Sequence, residues 1–225
     1  MSAYGSAAIE EGNGAPMTQP EATVFVIDDD VSVRESLDAL IALAGWRVFT
    51  FDSAQAFLDQ ARAPGPGCLV LDVSLPDLTG LELQERLAAD EIELPIIFIT
   101  GHGSVPMSVR AMKAGAVEFL TKPIDDDALL RAIDDAVGRC RRVFEGHLNL
   151  QMLREDYASL SKREREVMAL VTSGFLNKQV GAKLGISEIT VKAHRGHVMR
   201  KMSAHSFAEL VNMAARLGVK DTTSH

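Results

Sequence analysis

The fold is decided by the stretch VFVIDDD at residues 24–30, in which an apolar run ends in three aspartates. Similar apolar runs recur further along the chain, most of them separated by a segment of helical period, at Val48–Phe51, Cys68–Leu71, Ile96–Ile99 and Val117–Leu120. This alternation predicts an α/β fold with a parallel sheet. Because open sheets of this kind bind ligands at the carboxyl ends of their strands, we expect the functional residues there.

The apolar runs end in polar side chains that suit a single site. Asp28 and Asp29 follow the first run, Asp72 ends the third, Thr100 ends the fourth, and Lys122 follows the fifth. Carboxylates that lie close together repel one another unless a cation or protons offset their charge. Because oxygen ligands favour a hard ion, the three carboxylates predict a site for Mg²⁺, with Mn²⁺ as the substitute.

A carboxylate beside Mg²⁺ can attack phosphorus while the metal and a lysine offset the charge on the transferred group. In this interpretation Asp72 is the nucleophile, Lys122 supplies the ammonium, and Thr100 hydrogen-bonds the bound phosphoryl group. The backbone carbonyl of Ser74 could add a neutral metal ligand. Any one of the aspartates alone is better explained as a turn or capping residue, but the full set favours a phosphoacceptor pocket.

Four motifs resemble those of the receiver domains of two-component response regulators. They occur in order between about Thr23 and Val137 and read VFVIDDD, CLVLDVSLPDLTG, FITGHG and EFLTKP. The resemblance implies a doubly wound, flavodoxin-like sheet of five parallel strands in the order 2-1-3-4-5. It also implies a partner histidine kinase, and a symmetric homodimer that forms when two receivers are phosphorylated.

The same resemblance implies a role for each residue of the pocket. Asp28 and Asp29 would be the acidic pair, Asp72 the phosphorylated aspartate and Thr100 the switch hydroxyl. Phe119 would be the switch aromatic and Lys122 the pocket lysine, followed by a cis peptide bond to Pro123. Without the resemblance, Phe119 is better explained as an ordinary core aromatic.

The composition is that of a globular protein, with 47% hydrophobic and 24% charged residues and a mean hydropathy of +0.07. A length of 225 residues predicts two modest domains. No apolar run approaches the roughly 18 residues of a membrane-spanning helix, and the start of the chain does not read as a signal peptide, so we expect a cytoplasmic protein with no membrane partner. Cys68 and Cys140 suggest neither a disulfide framework nor a zinc site.

Charge is distributed unevenly along the chain. Residues 1–155 carry 12 basic and 25 acidic side chains, a net charge of −13, whereas residues 156–225 carry 11 basic and 6 acidic side chains, a net charge of +5. A small basic module makes nucleic acid a candidate partner, although charge alone is weak evidence. Residues 1–20 are rich in Ala, Gly, Ser and Pro and are predicted to be a flexible extension.

The basic part of the chain reads as a second, all-α domain of four short helices. Residues 139–158 are predicted to be a helical linker that continues out of the first domain. Ser161 and Glu164 then form a capping box at the start of a helix, and glycines at positions 174 and 185 separate the helices that follow. Short helices that turn at glycine predict a helix-turn-helix.

The third of these helices has one apolar face and one small, basic face. Val191, His194, Val198 and Met202 share the apolar face by their helical period. Small side chains on the opposite face let a helix approach the major groove of DNA, where basic residues reach bases and phosphates. Composition alone leaves DNA binding and an ordinary solvated helix face about equally open.

The sequence LSKREREVMALVTSGFLNKQVGAKLGISEITVKAHRGHVMRKM resembles the LuxR-type helix-turn-helix of FixJ/NarL response regulators. By this resemblance Thr190 and Lys192 lie at the start of the recognition helix, and Lys192 is the best candidate for a base contact. Gly196 departs from the pattern because it removes a side chain from a groove-facing position. The residues expected to contact double-stranded DNA are Lys178, Thr190, Lys192, Ala193, Arg195, Gly196, Arg200 and Lys201.

Together these patterns predict four segments: an extension at 1–20, a receiver domain at 21–138, a linker at 139–158 and a LuxR-type DNA-binding domain at 159–220. They predict a transcription factor that is not an enzyme apart from the Mg²⁺-dependent gain and loss of its own phosphoryl group. Two alternatives stay open, namely DNA binding that does not depend on phosphorylation and an Mg²⁺-dependent phosphatase that works through an aspartyl-phosphate. The phosphatase is disfavoured because such enzymes commonly have a second acid where this chain has Ser74.

Overall fold

The computed structural model describes residues 21–60, 65–101 and 103–219. The chain divides into two compact units, the first ending at Arg141 and the second beginning at Arg142. This boundary lies within the predicted linker. The predicted extension at residues 1–20 lies outside the described residues, as does residue 220, where the predicted DNA-binding domain ends.

The first unit is built on a five-stranded parallel sheet with the predicted strand order β2-β1-β3-β4-β5. The strands are β1 (Thr23–Ile27), β2 (Arg47–Phe51), β3 (Gly67–Asp72), β4 (Ile96–Thr100) and β5 (Glu118–Thr121). In the register of the sheet, Ile27 pairs with Leu71, and Thr100 pairs with Thr121. The carboxyl ends of these strands therefore meet at one edge of the sheet, as the alternation of strands and helices predicts.

Helices cover both faces of the sheet. They are α1 (Val31–Leu43), α2 (Ala54–Asp59), α3 (Gly80–Ala89), α4 (Val105–Lys113) and α5 (Asp126–Ala158). Helix α1 ends before Gly45, whose φ of +90° is incompatible with continuing the helix. Helix α5 is continuous over 33 residues, so residues 139–158 are helical throughout.

The core of the first unit has two layers because successive side chains of a strand point to opposite faces. On β3, Val70 packs with Ile41 of α1 and Ile133 of α5 on one face. On the other face, Leu71 packs with Phe57 of α2 and Leu83 of α3. All these side chains are fully buried, and each contributes roughly 1.5–3 kcal/mol by leaving water. The strands are therefore held rigidly enough to fix the residues at their ends.

The second unit contains the four short helices that the sequence predicts. They are α6 (Lys162–Thr172), α7 (Asn177–Leu184), α8 (Glu188–Lys201) and α9 (Phe207–Leu217). The capping box is present, because the Ser161 side chain accepts from the backbone N–H of Glu164 and the Glu164 carboxylate accepts from that of Ser161. Between α7 and α8 the chain turns at Gly185, whose φ is +66°. Leu153, near the end of α5, is buried in the core of this unit.

Gly80 connects the fold to the predicted site. It is the first residue of α3, and its backbone N–H donates to the carbonyl oxygen of Val73 at 3.0 Å. A Cβ atom at Gly80 would lie 2.6 Å from the carbonyl oxygen of Asp72 and 3.1 Å from the Cα atom of Val73. Helix α3 can therefore start this close to Asp72 only because residue 80 has no side chain.

We predict that Gly80→Ala lowers the free energy of unfolding of the first unit by about 1–3 kcal/mol, because the added methyl group must push the backbone of Asp72 and Val73 away. Urea unfolding followed by the fluorescence of Trp46 measures this change. Gly146→Ala is the control, since a Cβ at Gly146 meets nothing within 4 Å. An unchanged transition midpoint in Gly80→Ala would contradict the prediction.

Candidate functional site

The structure brings the predicted pocket residues together at the carboxyl edge of the sheet. Asp28 directly follows β1 and is fully buried, and Asp72, the last residue of β3, is 5% exposed. Thr100 ends β4 and is also fully buried, and Lys122 follows β5. Four neighbouring strands thus deliver one polar side chain each to the same place.

Lys122 links the two buried carboxylates. Its Nζ atom lies 2.7 Å from Oδ2 of Asp28 and 2.5 Å from Oδ2 of Asp72. The peptide bond from Lys122 to Pro123 is cis, as the resemblance to receiver domains implies. The ammonium therefore lies between the two aspartates, where a group attached to Asp72 would also meet it.

Burial and charge act in opposite directions on these groups. Burial raises the pKa of Asp28, and the negative charge of Asp72 adds to this, while hydrogen bonds from Lys122 and Asp30 lower it without restoring its ordinary value. Partial burial acts to lower the pKa of Lys122, but its hydrogen bonds to Asp28 and Asp72 together outweigh burial, so this pKa is raised. Lys122 is therefore charged at neutral pH, and ionisation of Asp28 costs more free energy than that of an ordinary carboxyl group.

The donor atoms fit a divalent cation. Asp28, Asp29 and Asp72 each offer one carboxylate oxygen, and these three oxygens lie within 4.8 Å of one another. One ammonium among three carboxylates leaves an excess of negative charge, which a hard divalent ion offsets best. The side chain of Asp29 is exposed, so an ion that keeps several waters can enter from solvent.

Backbone groups fix the orientation of both buried carboxylates. Oδ1 of Asp28 accepts from the backbone N–H of Asp30 at 2.9 Å, and Oδ1 of Asp72 accepts from that of Ser74 at 2.8 Å. The other oxygen of each carboxylate faces Lys122. Ser74 thus contacts Asp72 through its N–H, in addition to the carbonyl role predicted for it.

The three consecutive aspartates have different tasks, and an arginine that the sequence analysis missed holds them. Asp30 is the N-cap of α1 and accepts from the backbone N–H groups of two residues in its first turn. Nη1 of Arg34 donates to the carbonyl oxygens of Asp28 at 2.7 Å and Asp29 at 2.9 Å. The only sequence signal for this is an arginine one turn into the helix that follows the acidic residues. Arg34 fixes the path of the loop that carries Asp28 and Asp29 through their carbonyl oxygens, and its own side chain is not among the carboxylate oxygens that could hold a metal ion.

The predicted switch residues are neighbours. Phe119 is half-buried, and its ring centroid lies 6.2 Å from that of the buried Phe98. Gly103, which the sequence analysis did not single out, packs over both switch residues. A Cβ atom there would lie 3.0 Å from Cγ2 of Thr100 and 3.1 Å from the Phe119 ring. The loop after β4 is thus in direct contact with the two side chains whose movement is predicted.

Helix α8 carries the two faces that the sequence predicts. Val191, Val198 and Met202 are buried and His194 is half-buried. The residues of the opposite face are all exposed and are Lys192, Ala193, Gly196 and Arg200. Lys178, in the first turn of α7, is exposed as well. The structure therefore leaves these five of the eight predicted DNA-contact residues exposed and, of the other three, Lys201.

The other three of those eight have partners inside the second unit. Arg195 donates to Oδ1 of Asn177 at 2.7 Å, and its guanidinium carbon lies 5.0 Å from the centroid of the Phe207 ring. The hydroxyl of Thr190 lies 2.8 Å from that of the N-cap Ser187. The contacts of Arg195 hold α8 against α7 and α9, whereas that of Thr190 lies within the N-terminal cap of α8; neither was foreseen from the sequence.

Lys201 belongs to a second charge cluster, which is built around one buried carboxylate. Its Nζ atom lies 2.8 Å from Oε2 of Glu164, the capping-box residue of α6, which is 4% exposed. Nδ1 of His197 lies 3.5 Å from the other carboxylate oxygen. The hydrogen bond from Lys201 and that from the backbone of Ser161 lower the pKa of Glu164 to about 2. This ionised carboxylate fastens α8 to α6, so the ammonium of Lys201 already has a structural role.

Comparisons with known protein families agree with both halves of this description. The family described as the response regulator receiver domain matches residues 24–134. The family described as bacterial regulatory proteins of the luxR family matches residues 158–214. A protein whose sheet edge and helical unit have these features is a response regulator that combines a receiver domain with a helix-turn-helix domain.

Individual relatives lead to the same class. Nodulation protein W of Bradyrhizobium diazoefficiens is 50% identical over 199 residues, which cover 88% of each chain. The response regulator protein TmoT of Ectopseudomonas mendocina is 44% identical over 201 residues, 89% of this chain and 91% of that one. The transcriptional regulatory protein FixJ of Bradyrhizobium diazoefficiens is 43% identical over 196 residues, 87% of this chain and 96% of that one.

Solved structures extend the comparison to the fold. The response regulator StyR has a TM-score of 0.80 at 46% identity, covering 87% of this chain and 99% of that one. Full-length FixJ from B. japonicum has a TM-score of 0.54 at 43% identity, covering 89% of this chain and 98% of that one. This chain belongs to the two-component response regulators with a receiver domain and a LuxR-type DNA-binding domain. Among the residues that the structure describes, no helix is long and apolar enough to cross a membrane.

The raised pKa of Asp28 predicts that the pocket destabilises the metal-free protein. Below the ordinary carboxyl pKa of 3.8, Asp28 is protonated in both the folded and the unfolded state, so it contributes nothing. Between 3.8 and the raised pKa of the folded state, only the folded state keeps its proton, so stability falls as the pH rises and stays lower above the folded pKa. We therefore expect Asp28→Asn to raise the free energy of unfolding by about 0.5–2 kcal/mol at pH 7.5 in EDTA and to have little effect near pH 3.5.

Urea unfolding followed by Trp46 fluorescence, with EDTA or with Mg²⁺, measures this effect. Mg²⁺ should stabilise the wild type more than Asp28→Asn, because one ligand is lost in the variant. Asp30→Asn is the matched control, since asparagine also caps helices and Asp30 is exposed. A variant that is less stable than the wild type in EDTA at neutral pH would contradict the prediction.

Proposed function

We propose that this protein regulates transcription after a histidine kinase transfers a phosphoryl group to Asp72 in the presence of Mg²⁺. The observation that supports this most directly is the contact of 2.5 Å between Nζ of Lys122 and Oδ2 of Asp72, beside two further carboxylates. Asp72 is buried, contacts an ammonium and lies close to two other carboxylates. Such a residue is poorly explained by a structural role alone, because carboxylates repel one another. It is well explained as a group that receives phosphate.

The transfer proceeds in line between two heteroatoms. A carboxylate oxygen of Asp72 attacks the phosphorus of a phosphohistidine, an acyl phosphate bond forms, and the phosphorus–nitrogen bond breaks. The imidazole nitrogen of the kinase keeps the electron pair of that bond and takes up a proton. Lys122 stays beside the transferred oxygens, and Asp28, Asp29, Asp72 and the carbonyl of Ser74 would hold Mg²⁺, which would supply the remaining positive charge.

The phosphoryl group then changes the surface of the receiver. It adds negative charge and acceptor oxygens, which draw the Thr100 hydroxyl toward Asp72. Phe119 and Gly103 lie close to Thr100, so a shift of Thr100 changes the space that is available to both residues. The loop leads into α4, where Val105, Val109 and Met112 are 77%, 45% and 44% exposed. We propose that this apolar surface pairs two phosphorylated receivers as a homodimer.

The second unit would bind double-stranded DNA through α8. Lys192 and Arg200 are exposed on the face that also carries Ala193 and Gly196, and Lys178 adds a cation at the start of α7. In this proposal Thr190, Arg195 and Lys201 act at the DNA surface mainly by holding α8 in place. Pairing two modules makes the second binding event intramolecular, so a dimer binds a two-fold site far more tightly than one module. A cytoplasmic location stays a prediction.

We predict that Asp72→Asn abolishes phosphate incorporation while the protein stays folded, because the amide is not a nucleophile toward phosphorus. Incubation with a small acyl phosphate labelled on phosphorus, with and without Mg²⁺, measures the reaction. The wild type should gain up to one phosphoryl group per chain and shift toward a dimer in sedimentation. Asp30→Asn is the control and should be labelled normally. Labelling of Asp72→Asn at the wild-type level, or steady phosphate release far beyond one equivalent, would contradict the proposal, the latter in favour of a phosphatase.

We predict that Lys192→Ala weakens binding to a selected operator about ten-fold, because a lysine contact with a base or phosphate in the groove is lost. Its phosphorylation should not change. Electrophoretic mobility shifts at fixed salt measure the affinity, and Lys162→Ala, which removes the same charge from an exposed position on α6, is the control. Unchanged binding by Lys192→Ala would contradict the predicted interface, and equal affinity with and without phosphorylation would favour constitutive DNA binding.

A further inference from the structure

Helix α8 exposes an isoleucine that the fold does not use. Ile189 lies in the first turn of the helix and is 80% exposed, whereas the neighbouring Val191 is fully buried. Full burial of an isoleucine side chain is worth roughly 1.5–3 kcal/mol, and none of this is gained in the second unit by itself. A single exposed apolar side chain is ordinary on a protein surface, so its position must supply the argument.

That position is the centre of the outward face. Ile189 and Gly196 are seven residues apart and lie in one row along the helix, while the buried Val198 is nine residues from Ile189 and points the opposite way. Lys192 and Ala193, three and four residues on, flank the row on either side. Ile189 is therefore the most prominent apolar group on the face that carries Lys192.

The rest of the face is shaped for close approach. Ala193 has only a methyl group, and a Cβ atom at Gly196 would meet nothing within 4 Å. On the outward face of α8, a large side chain therefore projects at Ile189, and the surface next to it is flat because Ala193 and Gly196 have little or no side chain. The side chain of Lys192 lies beside Ile189, where Glu188 holds its Nζ atom at 3.3 Å. Exposed cations near an apolar group argue for a polyanion that also offers apolar atoms.

We propose that Ile189 packs against the C5-methyl group of a thymine in the major groove and so determines sequence specificity. The methyl group of thymine is the one apolar group that a base presents in that groove, and residues at the start of a recognition helix reach the base edges. The low profile at Ala193 and Gly196 lets the helix come close enough for Ile189 to make the contact. This inference rests on the proposed DNA-binding function and adds a base preference to it.

The test uses an operator selected from random duplexes with the phosphorylated full-length protein. Each thymine in turn is replaced by uracil, which pairs with adenine in the same way and lacks only the methyl group. We expect the affinity to fall about four-fold at one thymine in each half-site, since one apolar methyl contact is lost. In Ile189→Ala the affinity for the thymine duplex should fall, and the thymine and uracil duplexes should bind equally well.

Controls separate this contact from changes in folding or in general DNA binding. Ile189→Ala removes an exposed side chain, so its circular dichroism and unfolding should match the wild type. Met152→Ala shortens another exposed apolar side chain, 49% exposed on α5, and should keep the preference for thymine. Lys192→Ala should weaken binding to both duplexes alike.

The outcomes distinguish this inference from the proposed function. Selective DNA binding that is unaffected by uracil at every position would overturn the role of Ile189 and leave the DNA-binding proposal standing. Persistence of the full thymine preference in Ile189→Ala would do the same. If no duplex is selected over random DNA at any phosphorylation state, the proposed function itself fails, and the inference fails with it.

Discussion

The contact of the Lys122 ammonium with Asp28 and Asp72 is the interaction on which the receiver unit depends. Two carboxylates buried at the end of a sheet would repel each other and take up protons, and Asp28 already has a raised pKa despite the lysine. One ammonium offsets part of the negative charge of the three neighbouring carboxylates but not all of it. In the proposed function, the remaining negative charge would attract a divalent ion, and the ion would in turn allow a further anionic group to approach.

The fold makes this arrangement possible because apolar packing, and not the charged groups, fixes the positions of the pocket residues. The strands are fixed by two apolar layers, so the positions of their last residues are set by packing and not by the charges that they carry. Backbone contacts then orient the loops, through Arg34 on the carbonyls of Asp28 and Asp29 and through the close approach of Gly80 to Asp72. In the proposed function, the charged groups themselves could therefore respond to phosphorylation without the sheet having to move.

The sequence predicts well which residues lie at the ends of strands and on the faces of helices, and it predicts poorly which residues contact one another. The polar edge and the buried face of α8 follow from periodicity, the strand order follows from the resemblance to receiver domains, and the structure agrees with all three. Periodicity does not distinguish Asp29 from Asp30, because both follow the same strand, and only the cap geometry of α1 separates Asp30, the helix cap, from Asp29, which lies with the other two carboxylates. Nor does it foresee that Arg34 and Gly103 contact the pocket, since those contacts depend on how loops close in three dimensions.

The same limit applies to the basic module and changes what its charge means. Lys201 contacts Glu164 and Arg195 contacts Asn177, so two of the cations counted toward a net charge of +5 hold the helices of the unit together. Arg163 likewise donates to Glu166 and to the carbonyl oxygen of Leu184. The cations left exposed on α8 and at the start of α7 are few, so a single module gains little from phosphate contacts. In the proposed function, tight and selective binding would then come from base contacts and from two modules acting together, so a receiver whose phosphorylation controls dimerisation would also control DNA binding.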